Sequence, residues 1–213
     1  MFVDWSQLTR LPEIDIFIDV GFGPEGTSDL IKKFKKKFLI LIDPLKESES
    51  FARSSLNKEK YTFFRCSVGS YNGASKLYVQ KELGNSSLLK ATNINFQGKP
   101  FDERKVKIFT LDTIMRLWVN KKKSNKVKKI NQKIGIKIDT EGYELEVIKG
   151  AKETLKKTEF VLIEARHNHT SFYHQYKLSE LMNLMSDNDF VLDMIITAKP
   201  FIADLCFVKI KNN

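Results

Sequence analysis

The segment Ile136-Lys137-Ile138-Asp139-Thr140-Glu141-Gly142-Tyr143-Glu144-Leu145-Glu146-Val147-Ile148 constrains this chain more than any other. An alternating apolar run stops at acidic residues and a glycine, and a run of helical period begins at once. A strand that ends in carboxylates and feeds straight into a helix belongs to an α/β sheet. In such a sheet the carboxyl edge of the strands is where ligands bind. Asp139 and Glu141 are therefore expected on the wall of a site.

The rest of the chain repeats the rhythm. Residues 14–20, 38–42 and 61–68 read as buried strands, and residues 27–37 and 45–57 read as helices between them. Residues 75–79 and 104–110 alternate apolar with polar side chains, which predicts extra edge strands in the middle, joined by a loop over 83–100. A short helix over 111–118 follows, and the lysine-rich stretch 121–129 reads as a solvated loop or a phosphate-binding patch. The pattern then resumes with a strand over 133–138, helices over 143–156 and 178–185, and a strand over 160–164. Residues 190–196 and 205–210 close the chain as a hairpin around a Pro-containing turn. These elements predict one α/β domain over 1–213, with a mostly parallel sheet and a C-terminal antiparallel hairpin.

Composition bounds the function classes. The 213 residues carry a net charge of +10, which favours an anionic partner and equally suits solvated helix faces. Cys66 and Cys206 each fall in a predicted strand, far apart in sequence, and read as free thiols in a reducing compartment. The first residues lack the pattern of a signal peptide, and no apolar run reaches the roughly 18 residues of a membrane span. A cytoplasmic protein without membrane insertion is the expectation.

Gly21-Phe22-Gly23-Pro24-Glu25-Gly26 follows the first strand and matches the dinucleotide fingerprint G-x-G-x-x-G. Its acidic neighbours decide what it binds. Asp19 precedes the loop and Glu25 lies within it, so a pyrophosphate at the helix N-terminus would meet negative charge at short range. S-adenosylmethionine has no phosphate and carries a cationic amine and a sulfonium, so the same acids would attract it. Asp43, at the end of the second strand, is placed to accept hydrogen bonds from the ribose hydroxyls of an adenosine cofactor, or to cap the next helix.

Taken in order, Asp19-Val20-Gly21, Asp43-Pro44, Thr110-Leu111-Asp112, Lys137-Ile138-Asp139-Thr140-Glu141-Gly142-Tyr143-Glu144, Lys149-Gly150-Ala151 and Ile163-Glu164 resemble the FkbM family of methyltransferases. The likeness runs from about Ile14 to Ile210, and the Lys-Ile-Asp-x-Glu-Gly block is its specific part. The resemblance implies a class I, Rossmann-like methyltransferase fold with a seven-stranded sheet. It also implies S-adenosylmethionine as cofactor and a hydroxyl of a sugar, glycan or secondary metabolite as acceptor. The cofactor set expected on this basis is Asp19, Gly21, Phe22, Gly23, Glu25, Asp43 and Ser67. The glycine loop departs from the family's usual Asp-Val-Gly-Ala-Asn-x-Gly, its last glycine standing one place later.

On the acceptor side, Asp139 is placed to orient or deprotonate a hydroxyl, or to hold the amine of the cofactor. Glu164 ends a strand on the same edge, and His167 can reach the cleft as a base with a pKa suited to neutral pH. Glu141 and Arg166 are expected to touch the acceptor, Arg166 through a carboxylate or phosphate. Glu144 reads as a helix N-terminal acid or a second cleft carboxylate. Ser86-Ser87 resembles a family serine pair near the acceptor and equally reads as a turn. The spacing of Asp139, Glu164 and His167 or His169 fits no metal signature, so no metal ion is expected. Two other functions stay open. An RNA ribose 2′-O-methyltransferase is favoured by the +10 charge and by Lys137, Asp139 and Glu164, though no RNA-binding module is visible. A nicotinamide oxidoreductase is favoured by the glycine fingerprint alone. Oligomeric state is not legible.

Overall fold

The computed structural model describes residues 8, 10–23, 28–57, 60–92, 102–123, 132–168 and 171–210. In chain order, β1 (Ile16–Val20) leads to α1 (Ser28–Phe34), β2 (Phe38–Ile42), α2 (Lys46–Ser55) and β3 (Tyr61–Phe64). Then come β4 (Ser67–Val68), β5 (Gly73–Val79), β6 (Asp102–Phe109), α3 (Leu111–Lys123), β7 (Ile134–Ile138), α4 (Glu144–Lys149) and α5 (Lys152–Leu155). β8 (Thr158–Arg166), α6 (Leu178–Asp187), β9 (Phe190–Ala198) and β10 (Ile202–Lys209) complete the chain.

The main sheet has seven strands in the order β3-β2-β1-β7-β8-β10-β9. β1, β2, β3, β7 and β8 run parallel, and β10 pairs antiparallel with both β8 and β9. Both faces are covered, which is why β1 and β7 are buried at every position and are written in β-branched and aromatic residues. Ile18, Ile40, Ile136 and Ile163 pack on one face with residues of α3, α4 and α6. Phe17, Leu39 and Phe160 pack on the other with residues of α1 and α2, where the rings of Phe17 and Phe34 stack 4.3 Å apart. The chain leaves β1 toward β2 on one side, while β7 and β8 lie on the other. The crevice between the carboxyl ends of β1 and β7 is therefore a topological switch point.

Several elements differ from the expectation. The third strand is broken at Arg65-Cys66, and β4 leaves the main sheet to pair with β6 in a separate three-stranded sheet, β4-β6-β5. Residues 75–79 and 104–110 thus form that second sheet rather than edges of the first. The helix expected over 143–156 is two helices, because Asp112 accepts hydrogen bonds from the amides of Glu153 and Thr154 and so starts α5 afresh after Gly150. α3 runs five residues beyond its expected end, to Lys123; the rest of the lysine-rich stretch, from 124, lies outside the described residues. Cys66 sits at the strand break and Cys206 within β10; both are buried free thiols.

Candidate active site

A cleft opens at the switch point, lined by Gly21 and Gly23 after β1, Asp43 after β2, Asp139 after β7 and Leu77 of the second sheet. Gly21 has φ +85, a conformation reserved for glycine, and a Cβ there would lie 1.7 Å from the Asp139 carbonyl oxygen. The amide of Asp139 in turn donates to the carbonyl of Val20 at 3.0 Å. The turn after β1 and the tip of β7 are therefore locked backbone to backbone, and this contact fixes Asp139.

Asp43 Oδ1 accepts from the amide of Leu45, the residue before α2, at 2.8 Å, and Asp43 also lines the cleft. Burial pushes its carboxyl up to about 7. Ser67 is also buried on the cleft wall, its hydroxyl without a hydrogen-bond partner among the described residues. Buried polar atoms of this kind are rare without a ligand or water to complete them. Leu77, Leu83 and Leu88 supply an apolar slot beside that hydroxyl.

On the β7–β8 side the site is a network of buried charge. Lys137 Nζ lies 3.0 Å from Asp139 Oδ2 and 3.8 Å from Asp19 Oδ1. Burial alone would lower the Lys137 pKa, but the Asp139 and Asp19 carboxylates outweigh it and hold the ammonium charged. Asp19 is fully buried, and burial pushes it up to about 6 despite Lys137. The charge of Asp139, followed by burial, pushes the Glu164 carboxyl up to about 8. Asp139, Glu141 and Glu164 each place a carboxylate oxygen within 4.8 Å of the others, a group that could hold a cation. Lys137 supplies positive charge on one side of this group and Arg166 on the other.

Arg166 Nη2 donates to Glu141 Oε2 in a buried ion pair, and its guanidinium lies 5.0 Å from the centre of the Phe172 ring. Ser87 Oγ donates to the Glu141 carbonyl at 2.7 Å and accepts from the Leu89 amide at 3.0 Å. Glu141 itself has φ 55, and Gly142 after it has φ 93. A left-handed non-glycine residue costs of order 1–3 kcal/mol and persists only where its surroundings over-determine it.

The structure brings together Gly21, Gly23, Asp43, Ser67, Ser86 and Asp139 on the cleft, with Glu164 and Glu141 beside Asp139. Other expectations are corrected. The Phe22 ring is core, packed against Phe51 and Phe63, so it offers no side chain to a ligand. Asp19 faces Lys137 behind the cleft rather than lining it. His167 turns away, its Nε2 2.8 Å from the Lys199 carbonyl. Arg166 is paired with Glu141, and Ser87 supports the Glu141 backbone. Ser86 is on the same cleft as Asp43, where its hydroxyl accepts from the Gln80 amide at 3.2 Å, and Leu83 and Leu88 of the same segment line that cleft too. Glu25 and His169 lie outside the described residues. Sequence reasoning missed Leu77, Leu88 and Tyr143 on the cleft; the alternation at Leu77 and Val79 was the available signal for the first.

The methyltransferase FkbM domain model matches residues 19–192. A crystal structure of methyltransferase FkbM from Methylobacillus flagellatus KT is 18% identical, with a TM-score of 0.58 over 97% of this chain and 46% of that one. The chain thus spans about half the length of that protein. A putative S-adenosylmethionine-dependent methyltransferase from Listeria monocytogenes is 7% identical, with a TM-score of 0.51 over 97% of this chain and 98% of that one. Both likenesses are likenesses of fold, the class I methyltransferase sheet. No curated protein matches the sequence.

Proposed function

The chain belongs to the FkbM methyltransferase family, and from that premise we propose that it is an S-adenosylmethionine-dependent O-methyltransferase acting on a hydroxyl of a sugar, glycan or secondary metabolite. One observation carries the reading. Two carboxylates, Asp43 and Asp139, line the cleft, and no lysine or arginine does among the described residues. A dinucleotide would bring phosphate charge to a cleft that offers it no cationic side chain among the described residues, whereas a cationic ligand is favoured beside carboxylates.

The residues present fit the cofactor. Asp43 would take the ribose hydroxyls, the orphaned Ser67 hydroxyl and the slot of Leu77 and Leu88 would take the adenine, and the Gly21 turn leaves room for close approach. When bound, the cofactor supplies an electrophilic methyl group on a sulfonium. Asp139 stands at the strand tip with its side chain partly open to solvent, placed to orient an acceptor hydroxyl and take up its proton at a carboxylate oxygen. Glu164 lies beside it, its carboxyl raised first by the charge of Asp139 and then by burial. Lys137 holds Asp139 in the orientation that points into the cleft.

The second reading, ribose 2′-O-methylation of RNA, draws on Lys137, Asp139 and Glu164 lying together at the strand tips. Parallel calorimetry with S-adenosylhomocysteine, NAD and ATP tests the cofactor assignment, and a methyl-release screen over sugar hydroxyls and RNA separates the two acceptor classes. Transfer to RNA but to no small hydroxyl compound would replace the first reading by the second.

A further inference from the structure

We propose that Tyr143 in the cleft and Tyr71 at its rim are stacking platforms for successive rings of a glycan, so that the acceptor is an oligosaccharide rather than a single sugar; the proposal rests on the methyl-transfer reading above. Tyr143 is half-buried and lines the cleft with Asp139 and Thr140. Its carbonyl accepts from the amides of Glu146 and Val147, at 3.1 and 3.2 Å, in the first turn of α4, and its side chain does not cap the helix. The helix end thus fixes the backbone of Tyr143 and leaves its ring to the cleft. Gly69, between β4 and β5, makes room for that ring, since a Cβ there would stand 2.9 Å from Tyr143 Cε1.

The same segment carries the second ring. Ser67 and Val68 of β4 line the cleft, Gly69 lies against Tyr143, and two residues later Tyr71 stands 45% exposed. Two residues span at most about 7 Å, so Tyr71 starts at the edge of the cleft that Tyr143 lines. A single exposed tyrosine calls for no explanation, but this one stands on a loop that is tied down on both sides of it. Ser70 Oγ donates to Glu146 Oε2 of α4, Asn72 Oδ1 accepts from the Thr110 amide at 2.9 Å, and Asn72 Nδ2 donates to Thr113 Oγ1 at 3.2 Å. The Tyr71 ring rests over Gly73, its Cε2 3.6 Å from where a Cβ would stand. A ring held in this way loses little freedom when a ligand stacks on it.

A sugar ring carries C–H bonds on its faces and hydroxyls around its rim. The C–H faces pack on the electron-rich face of an aromatic ring, and the rim needs polar neighbours, which Ser70, Asn72 and Glu146 provide beside Tyr71. A nucleic acid would stack on the same rings but asks for cations along its backbone. Here Lys149 is already paired with Glu146 at 2.6 Å, and the cleft offers no lysine or arginine among the described residues. The surroundings of the two rings therefore suit a neutral glycan.

The test is binding, with and without S-adenosylhomocysteine, to a panel of neutral monosaccharides, their disaccharides and tetrasaccharides, and a single-stranded RNA of about ten nucleotides. Wild type should bind at least one tetrasaccharide about tenfold more tightly than its monosaccharide, and Tyr71→Ala should lose about tenfold in that affinity, the size of a truncated aromatic anchor. Tyr71→Phe keeps the ring face and should stay within about threefold of wild type. Tyr71 is exposed, so neither variant threatens the fold. Binding to no glycan would overturn the proposal, as would equal affinity for one ring and four, Tyr71→Ala binding like wild type, or Tyr71→Phe as weak as Tyr71→Ala. Binding of the RNA in place of glycans would overturn it too. Failure of wild type to bind S-adenosylhomocysteine would instead remove the methyl-transfer reading, while the glycan measurements without it still decide whether the two tyrosines form a glycan site.

Discussion

The two halves of the site are built by different means. The half proposed to take the cofactor rests on strand tips, a glycine turn and single side chains such as Asp43 and Ser67. The half proposed to face the acceptor is a buried mesh in which Glu141 is held by Arg166 and Ser87, from two distant segments, while Glu144 of its own segment accepts from the Gly142 amide. A ligand pocket made of backbone turns tolerates loss of one side chain with a proportionate effect. A mesh of buried charges fails cooperatively, because removing one member leaves another uncompensated.

The largest effect is expected at the junction of the halves. Asp139→Asn keeps the shape and removes the charge, so single-turnover methyl transfer should fall by about 10²- to 10⁴-fold with cofactor affinity largely kept. A wild-type rate would make Asp139 structural. A weaker cofactor complex with normal turnover at saturation would move Asp139 to the cofactor side of the comparison.

Next in size is the backbone lock. Gly21→Ala forces a Cβ against the Asp139 carbonyl and a side chain into φ +85. Overpacking and backbone strain together should cost about 2–4 kcal/mol of stability in denaturant titration. Gly23→Ala meets nothing within 4 Å, so about 0.5 kcal/mol or less is expected there. Equal losses at the two glycines would remove the lock from the account.

Asp43→Ala should weaken S-adenosylhomocysteine binding by about 1.5–3 kcal/mol for each hydrogen bond lost. It should also lower stability by about 1 kcal/mol, since the Leu45 amide loses its partner. Unaltered affinity with only the stability loss would leave Asp43 as a helix cap.

The smallest effect separates the halves by pH. Asp19 (about 6), Asp43 (about 7), Glu144 (about 7) and Glu164 (about 8) are all raised in the folded state. The folded chain therefore binds more protons than the unfolded chain between the unfolded carboxylate pKa, about 4, and about 8. Stability should fall as pH rises through that window and level off above it. Glu144→Gln should flatten the slope near pH 7, and a Tm that climbs from pH 5 to 8 would contradict the buried network.

The same contrast explains what was legible in the sequence. β1 and β2 announce themselves as apolar runs and β7 as isoleucines alternating with Gly135 and Lys137, and Asp43 and Asp139 follow from being the first acids after β2 and β7. Nothing local to His167 reveals that its ring is claimed by Lys199, thirty-two residues away. Nor does the segment around Ser87 show that its hydroxyl supports Glu141 across fifty-four residues. β4 and β6 pair across such a distance too, which is why the second sheet read as edge strands of the first. Local pattern identifies what a strand tip offers, and tertiary contact decides which of those groups remain available.

Calorimetry with S-adenosylhomocysteine and NAD on the same wild-type preparation tests the central claim most directly. A cleft lined by Asp43 and Asp139, with no lysine or arginine in its lining among the described residues, predicts that S-adenosylhomocysteine binds and that NAD binds at least about tenfold more weakly, a difference of about 1.4 kcal/mol. NAD binding as tightly as S-adenosylhomocysteine, or tighter, would contradict it.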